Sequence, residues 1–125
     1  MQQGQTILIV DDEAIIRDVL SLILRRAGYH VLVASGGKEA LQLLRATGES
    51  IGLAVLDLVM PEIGGVRLLS RLREIQPGMR ALFMSGYQTP LGLPAGSEFL
   101  TKPFTATDLL RALGDTGKRA IAQTA

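Results

Sequence analysis

Short runs of apolar residues alternate along this chain with longer segments in which apolar residues recur every three or four positions. The short runs predict strands, because β-branched and other apolar residues fill them and turn residues bound them. The five predicted strands cover residues 6–10, 30–34, 53–56, 81–84 and 98–101. We expect the first and third to lie at the centre of a sheet.

The longer segments predict helices, because their apolar residues return to one side at the helical period. The predicted helices cover residues 13–27, 38–46 and 66–75, and a last one begins near Thr105. Gly28 is well placed to end the first helix. Thr105 and Asp108 resemble a capping box in which Asp replaces the usual Glu, so the last helix has a predicted start.

The third predicted helix has an apolar side and a charged side. Its predicted buried side consists of Val66, Leu69 and Leu72. Arg67 and Arg71 point away from that side, and with Arg73 they form a cluster. Such a cluster is consistent with a phosphate-binding stripe or with a solvated helix face. The absence of interleaved aromatic residues favours the solvated face.

The alternation of strands and helices predicts a parallel sheet with helices on both of its faces. A length of 125 residues fits a single domain, residues 1–125, with a core at about 6–113 and a C-terminal tail at 114–125. Glycine and proline recur between Ser85 and Glu98. We therefore expect a loop or a short turn there instead of a regular helix.

The composition excludes several classes of protein. With no cysteine, disulfides and thiolate metal sites are impossible. A net charge of +1 does not imply attraction to nucleic acid or to an anionic membrane. No apolar stretch reaches the roughly 18 residues of a membrane span, and the first residues do not resemble a secretory signal. We expect a cytoplasmic protein with no direct nucleic-acid binding and no membrane insertion.

Polar residues stand at the carboxyl ends of four predicted strands. Asp11 and Asp12 follow the first strand, Asp57 the third, Ser85 the fourth and Lys102 the fifth. Ligands of parallel sheets bind at that edge, where loops from several strands converge. If the strands run in the order 2-1-3-4-5, all five residues line one pocket.

This set of side chains indicates a metal ion and a phosphoryl group. Crowded carboxylates repel one another, and a divalent cation removes that conflict. Oxygen ligands without His or Cys favour a hard ion, so we expect Mg²⁺, with Mn²⁺ as a possible substitute. Lys102 and Ser85 would complete a cradle for a phosphoryl group. Asp57 would attack its phosphorus as a covalent nucleophile.

Four segments, in order, resemble a known family. They are Ile7-Leu-Ile-Val-Asp-Asp-Glu13, Leu56-Asp-Leu-Val-Met-Pro61 with Gly64-Gly65, Met84-Ser-Gly86, and Phe99-Leu-Thr-Lys-Pro-Phe104. Together they resemble the receiver domain of two-component response regulators, and residues 82–87 are similar to receivers of hybrid sensor histidine kinases. The resemblance implies a flavodoxin-like, doubly wound, five-stranded parallel sheet in the order 2-1-3-4-5.

The resemblance also implies how the phosphoryl group arrives and is held. Asp57 would be the phosphoacceptor, charged from the phosphohistidine of a sensor histidine kinase or of a histidine phosphotransfer protein. Ser85 would bond one phosphoryl oxygen and Lys102 would pair with another. Gly86, which has no side chain, would leave the phosphoryl group room and access. The protein would assist its own phosphorylation and dephosphorylation without being a multiple-turnover enzyme.

A metal site is implied in the same way. Asp11 and Asp12 would hold Mg²⁺ together with Asp57 and the backbone carbonyl of Val59. Val59 and Tyr87 also occupy positions that influence the lifetime of the phosphoryl group in this family. An apolar Val59 cannot orient a hydrolytic water, which predicts slow self-dephosphorylation. A phosphoryl half-life that does not shorten in the Val59→Asn variant would contradict that prediction.

The residues that would transmit the signal match the family less completely than the residues of the phosphorylation site. Phe99 resembles the aromatic switch residue, which would turn inward when Ser85 moves towards the phosphate. Pro103 resembles a cis-bonded proline that would help to aim Lys102. Only sixteen residues, 86–101, separate Ser85 from Lys102, so the family's fourth helix, between the fourth and fifth strands, is expected to be short or absent. We expect a monomer or a weak homodimer.

Three other functions were weighed against this one. An aspartate-based phosphatase or phosphotransferase usually has a second Asp two residues after the nucleophile, where this chain has Val59. A nucleotide-binding module would carry a glycine-rich phosphate motif, and Gly36-Gly-Lys38 is too short. A degenerate receiver that binds partners without being phosphorylated stays open as the alternative. Taken singly, Asp11 and Asp12 could also cap the first helix, and Phe99 could be a core residue.

Overall fold

The computed structural model describes residues 4–86 and 92–114 as an alternation of strands and helices. The strands are β1 (Thr6–Val10), β2 (His30–Ala34), β3 (Ile51–Asp57), β4 (Arg80–Ser85) and β5 (Ser97–Thr101). The helices are α1 (Ala14–Arg26), α2 (Gly37–Ala46) and α3 (Gly65–Ile75), followed by α4, which is helical over residues 106–114. Every predicted strand and helix is present, with ends within three residues of the prediction.

The strands form one sheet in the order β2-β1-β3-β4-β5, and all four neighbouring pairs are parallel. This confirms the predicted flavodoxin-like, doubly wound topology. β3 is the middle strand and all seven of its residues except Gly52 are buried. It therefore extends farther in both directions than its apolar run suggested.

The sheet separates two layers of core. Alternate side chains of a parallel strand point to opposite faces, so Leu8 and Val10 belong to one cluster and Ile7 and Ile9 to the other. The first cluster takes its helical side chains from α2 and α3, and the second takes them from α1 and α4. Helices therefore cover both faces, as predicted, and β1 is buried along its whole length.

Two predicted helix ends are present in atomic detail. Gly28 follows α1 with a φ of 97°, the left-handed region that favours glycine, and its N–H donates to the carbonyl of Arg25 at 3.0 Å. At the start of α4, the Thr105 N–H donates to Asp108 and the Asp108 N–H donates to the Thr105 hydroxyl, both at 3.0 Å. Hydrogen bonding from the Thr105 backbone lowers the pKa of Asp108.

The predicted buried face of α3 was partly wrong. Leu69 and Leu72 are buried, but Val66 is 39% exposed and Leu68 is buried instead. The face is centred on Gly65, which lies against the backbone of β3 and turns Val66 about 100° away from the sheet. Glycine does not register as apolar in a periodicity count, so the pattern placed the face one position too far along.

The interpretation of the arginine cluster was right for two residues and wrong for the third. Arg67 and Arg71 are exposed on α3. Arg73 is half-buried, and its Nε donates to the carbonyl of Met79 at 2.9 Å while Nη2 donates to the carbonyl of Ala95 at 3.1 Å. Arg73 therefore joins the end of α3 to the segment that enters β5.

The connection between β4 and β5 is described only in part. Residues 92–94 have no regular structure and residues 95–96 form a turn, with left-handed φ values at Gly92 and Gly96. Residues 87–91 lie outside the described residues, so the prediction of a short or absent helix is confirmed only for 92–96. Most of the predicted tail at 114–125 also lies outside them. Within the described residues, no helix has the length and apolarity needed to cross a bilayer.

The amino-terminal edge of the sheet is closed by side-chain hydrogen bonds. The Thr6 hydroxyl donates to the carboxylate of Glu49 at 2.6 Å. The side-chain amide of Gln76 accepts from the Ile51 N–H at 2.8 Å and donates to the Glu49 carbonyl at 3.0 Å. These bonds hold the start of β3 against the end of α3.

Candidate functional site

The opposite, carboxyl edge of the sheet brings together the polar residues predicted for the site. Asp57 and Ser85 are the last residues of β3 and β4, and Asp11 and Lys102 directly follow β1 and β5. β1, β3, β4 and β5 are successive neighbours in the sheet, so their carboxyl ends meet. The sheet order thus accounts for the convergence that the strand ends predicted.

Lys102 is the cation that pairs with the carboxylates of this edge. Its Nζ lies 2.8 Å from Asp11 Oδ2, 3.3 Å from Asp57 Oδ2 and 3.7 Å from Glu13 Oε1. Asp11 is fully buried and Asp57 is 6% exposed, so both carboxylates depend on protein groups for most of their charge compensation. Lys102 is closer to Asp11 than to the predicted phosphoacceptor.

Three carboxylates form a cluster that could hold a divalent cation. One oxygen from each of Asp11, Asp12 and Asp57 lies within 4.8 Å of the others. Asp12 is exposed, which leaves the cluster open to solvent on one side. An all-oxygen donor set of this kind fits a hard ion, and the open side leaves space for water ligands.

The electrostatics of the cluster are unbalanced. Burial and the negative charge of Asp11 raise the pKa of Asp57, although Lys102 and the Val59 N–H act in the opposite direction. Burial lowers the pKa of Lys102, but the hydrogen bonds and charges of Asp11 and Asp57 outweigh it and raise that pKa overall. One lysine therefore does not fully compensate the carboxylates around it, and an added cation would favour the ionised form of Asp57.

The backbone around Asp57 is tightly constrained. The Leu58 N–H donates to the Met84 carbonyl at 2.8 Å, and the Gly65 N–H donates to the Leu58 carbonyl at 3.0 Å. A Cβ at Gly65 would lie 2.5 Å from the Asp57 carbonyl oxygen. Only glycine fits at this position without a shift of the chain, so the start of α3 lies directly on the residue that the site is built around.

Ser85 and the residues around Lys102 are joined through the backbone. Ser85 is buried, and its carbonyl accepts a hydrogen bond from the Lys102 N–H at 2.7 Å. The Lys102–Pro103 peptide bond is cis, as the resemblance implied. A Cβ at Gly86 would meet no atom of the described residues within 4 Å; the role of this glycine beside a phosphoryl group stays a prediction.

The remaining predicted residues differ in how they relate to the site. The Val59 side chain is 63% exposed and its N–H donates to Asp57 Oδ1 at 3.3 Å. Phe99 is half-buried and packs against the core cluster on the α2 and α3 side of the sheet. Tyr87 lies outside the described residues. Met60 and Met84 are buried in the core, as packing residues.

Two residues near the acidic cluster were not predicted. Glu13 contributes a carboxylate near Lys102 and an N–H that donates to Asp11 Oδ1 at 2.9 Å. Arg17, the fourth residue of α1, donates from Nη1 to the Asp11 carbonyl at 2.9 Å. Glu13 ends the first of the four motif segments, but no role was assigned to it. The only sequence signal for Arg17 is its position soon after the acidic pair, which does not distinguish it from other charged residues of α1.

Comparison with known proteins identifies the family. The family model described as response regulator receiver domain matches residues 7–114. The chain belongs to this family. Receiver domains of two-component systems typically accept a phosphoryl group on an aspartate, and the motif segments of this receiver domain supply the residues at the carboxyl edge of its sheet.

This receiver domain is similar to several characterised or solved relatives. The sensor kinase CckA of Brucella abortus (strain 2308) is 38% identical over 109 residues, which are 83% of this chain and 12% of CckA. The crystal structure of the receiver domain of the hybrid histidine kinase CckA aligns with a TM-score of 0.77 at 34% identity, over 88% of this chain and 96% of that one. The receiver domain thus resembles those of hybrid sensor kinases.

A further solved relative contains a phosphorylated aspartate. A response regulator protein from Burkholderia pseudomallei, solved with a phosphorylated aspartic acid, a calcium ion and citrate, aligns with a TM-score of 0.76 at 27% identity. That alignment covers 98% of this chain and 74% of the Burkholderia chain.

The present chain spans 12%, 45% and 25% of the length of three curated relatives that it matches.

Proposed function

We propose that this receiver domain accepts a phosphoryl group on Asp57 from a phosphohistidine, with Mg²⁺ bound beside it, and that its output is a change of conformation. The observation that carries the proposal is the convergence of Asp11, Asp12 and Lys102 on Asp57 at the end of the middle strand. The phosphorylated aspartate and bound cation of the Burkholderia relative support it.

The chain's own residues suit an in-line transfer. A carboxylate oxygen of Asp57 forms the new P–O bond while the P–N bond to the donor imidazole breaks, and the imidazole keeps the bonding electron pair and takes up a proton. Lys102 stands 3.3 Å from Asp57 Oδ2, where its charge can pair with a phosphoryl oxygen. Ser85 is the last residue of the neighbouring strand β4 and would bond a second phosphoryl oxygen.

The acidic cluster would hold the metal ion. Asp11, Asp12 and Asp57 would supply carboxylate oxygens and Val59 a backbone carbonyl, and Mn²⁺ would serve as a substitute for Mg²⁺. The ion supplies charge neutralisation for the phosphoryl oxygens. Burial holds the pKa of Asp57 up, so a cation at the cluster also keeps that carboxylate ionised and nucleophilic.

The partners follow from the donor. A sensor histidine kinase or a histidine phosphotransfer protein would carry the phosphohistidine, and the similarity to the CckA receiver favours a hybrid-kinase phosphorelay. We propose one receiver domain with its core at about residues 6–113, acting in the cytoplasm as a monomer or weak homodimer. It would assist the gain and loss of its own phosphoryl group without acting on other substrates. Hydrolysis would be slow, because the apolar side chain of the exposed Val59 cannot orient a water molecule.

Intact-mass measurement after incubation with acetyl phosphate and Mg²⁺ tests the proposal. We expect the wild type to gain the mass of one phosphoryl group, and the gain to be lost with a chelator and in Asp57→Asn. Asp18→Asn removes an exposed carboxylate from α1 and should be labelled like the wild type. A folded wild type that is labelled neither by acetyl phosphate nor by a phosphorylated kinase would contradict the proposal and favour a degenerate receiver.

A further inference from the structure

We propose that Arg17 is a positioning residue that fixes Asp11 and Asp12 relative to each other, and so sets the strength with which the acidic cluster binds Mg²⁺. The inference rests on the proposed function, because it concerns the same metal site. It adds a residue on α1 that lies outside the four segments that carry the family resemblance and touches none of the reacting atoms.

The bond made by Arg17 acts on one particular peptide unit. Its Nη1 donates to the carbonyl oxygen of Asp11 at 2.9 Å. That oxygen belongs to the planar unit that joins Asp11 to Asp12, so any rotation of the unit changes ψ of Asp11 and φ of Asp12 together. Holding this carbonyl therefore holds the geometry between two neighbouring carboxylates.

The two carboxylates differ in how else they are held. Asp11 is fully buried, with Oδ1 accepting from the Glu13 N–H at 2.9 Å and Oδ2 accepting from Lys102 at 2.8 Å. The exposed Asp12 side chain makes no hydrogen bond or ion pair within residues 4–86 and 92–114. Asp12 is therefore placed by its backbone, and that backbone is fixed on one side by the carbonyl that Arg17 binds.

The start of α1 has no side-chain cap to fix this turn. Glu13, the N-cap residue, makes no side-chain capping bond, and the first turn of α1 contains no acidic residue. Charged and polar capping side chains usually restrain the chain at such a point. Here the Asp11 N–H donates to the Ala34 carbonyl at 3.3 Å, and the Asp11 side chain accepts from the Glu13 N–H and from Lys102. The bond from the Arg17 side chain adds a restraint on the Asp11 carbonyl.

Positioning and simple electrostatics predict opposite changes in Mg²⁺ affinity when Arg17 is removed. Arg17 is a positive charge near an acidic cluster, so its Coulomb effect alone opposes a divalent cation, and removing the charge should tighten Mg²⁺ binding. If Arg17 instead orients the carboxylates, removing it should weaken Mg²⁺ binding. Residues that orient metal ligands through a hydrogen bond typically change metal affinity by about tenfold or more.

Calorimetric titration of the whole chain with Mg²⁺, without a phosphodonor, provides the test. We expect the dissociation constant to rise about tenfold in Arg17→Met, and Arg17→Lys, which keeps one charged donor, to recover most of the loss. Arg26→Met makes the same charge change at the exposed far end of α1, about 13 Å along the helix, and should bind Mg²⁺ like the wild type. Circular dichroism confirms the fold, and Arg17→Gln replaces the Met variant if that one is unfolded.

The outcomes separate the inference from the proposed function. Mg²⁺ binding that is unchanged or tighter in Arg17→Met and Arg17→Gln, with a normal wild type, overturns the role of Arg17 and leaves the proposed function intact. An equal loss in Arg26→Met also overturns it, because the loss would then not depend on the bond from Arg17 to the Asp11 carbonyl. A folded wild type that binds no Mg²⁺ overturns the metal site, and the role of Arg17 with it.

Discussion

The two edges of the sheet are built in contrasting ways. At the amino-terminal edge, Gln76 satisfies an N–H and a carbonyl at the start of β3 with a neutral amide. At the carboxyl edge, β3 ends at Asp57, a largely buried carboxylate beside the fully buried Asp11 with one lysine between them. One edge completes its hydrogen bonds within the protein, and the other keeps an excess of negative charge that a cation can bind.

The contrast between the two edges separates the part of the sheet that stabilises the fold from the part that can bind a cation. Neutral hydrogen bonds stabilise the fold modestly and make no demand on a ligand. Crowded buried carboxylates cost stability unless a partner compensates them. The amino-terminal edge should therefore lose stability when its hydrogen bonds are removed, whereas the carboxyl edge should gain metal-free stability from loss of charge.

The largest expected effect comes from steric change at the carboxyl edge. In Gly65→Ala, the new Cβ would stand 2.5 Å from the Asp57 carbonyl oxygen, and we expect a loss of about 3 kcal/mol in the free energy of unfolding. At the other edge, a Cβ at Gly48 meets no atom of the described residues within 4 Å. Gly48→Ala should therefore change the free energy of unfolding by less than about 0.5 kcal/mol. Urea denaturation measures both, and equal stabilities would contradict the described approach of α3 to β3.

A smaller effect is expected from removing the Gln76 amide at the amino-terminal edge. Gln76→Ala removes both bonds to the start of β3 and leaves the buried Ile51 N–H without its partner. We expect a loss of about 1–2 kcal/mol in stability, with the yield of Asp57 phosphorylation unchanged in the folded protein. Gln42→Ala, at an exposed position of α2, is the matched control and should be near neutral. A large loss of phosphorylation in folded Gln76→Ala would show that the two edges are coupled.

The smallest expected effect is one of pH. Burial and Asp11 raise the pKa of Asp57 above its usual 3.8. The metal-free folded protein therefore keeps a proton that the unfolded chain has lost, and the free energy of unfolding falls as the pH rises through that interval. In chelator, Asp57→Asn should gain stability over the wild type as the pH rises from acidic to neutral, and Mg²⁺ should stabilise the wild type at neutral pH. If the difference in stability between Asp57→Asn and the wild type does not change with pH, the pKa of Asp57 is not raised in the folded protein.

Most of the fold was predictable because it depends on local pattern and on a topological rule. The bounds of β1 and β2 were predicted to the residue, since their apolar runs end at clear polar positions. The site followed from the rule that parallel strands place their carboxyl ends together. Val66 was misplaced because the closest contact of α3 is made by Gly65, whose role depends on a backbone approach that no side-chain pattern encodes.

The finer geometry of the site could not be predicted from the sequence. Whether Lys102 lies nearer to Asp11 or to Asp57 depends on tenths of an ångström in the loop after β5. The bond from Arg17 to the Asp11 carbonyl joins a side chain to a backbone atom six residues away, and any long polar residue of α1 was an equal candidate. Such contacts become visible only when the path of the turn is known.

The two hydrogen bonds donated by Arg73 differ in how much chain each must close. The partner carbonyl at Met79 is 6 residues away, and the one at Ala95 is 22 residues away. Closing the longer loop costs about 1 kcal/mol more conformational entropy. The first bond therefore lies within the turn that follows α3, whereas the second closes a loop that includes β4. A single guanidinium thus makes one short-range contact and one long-range contact.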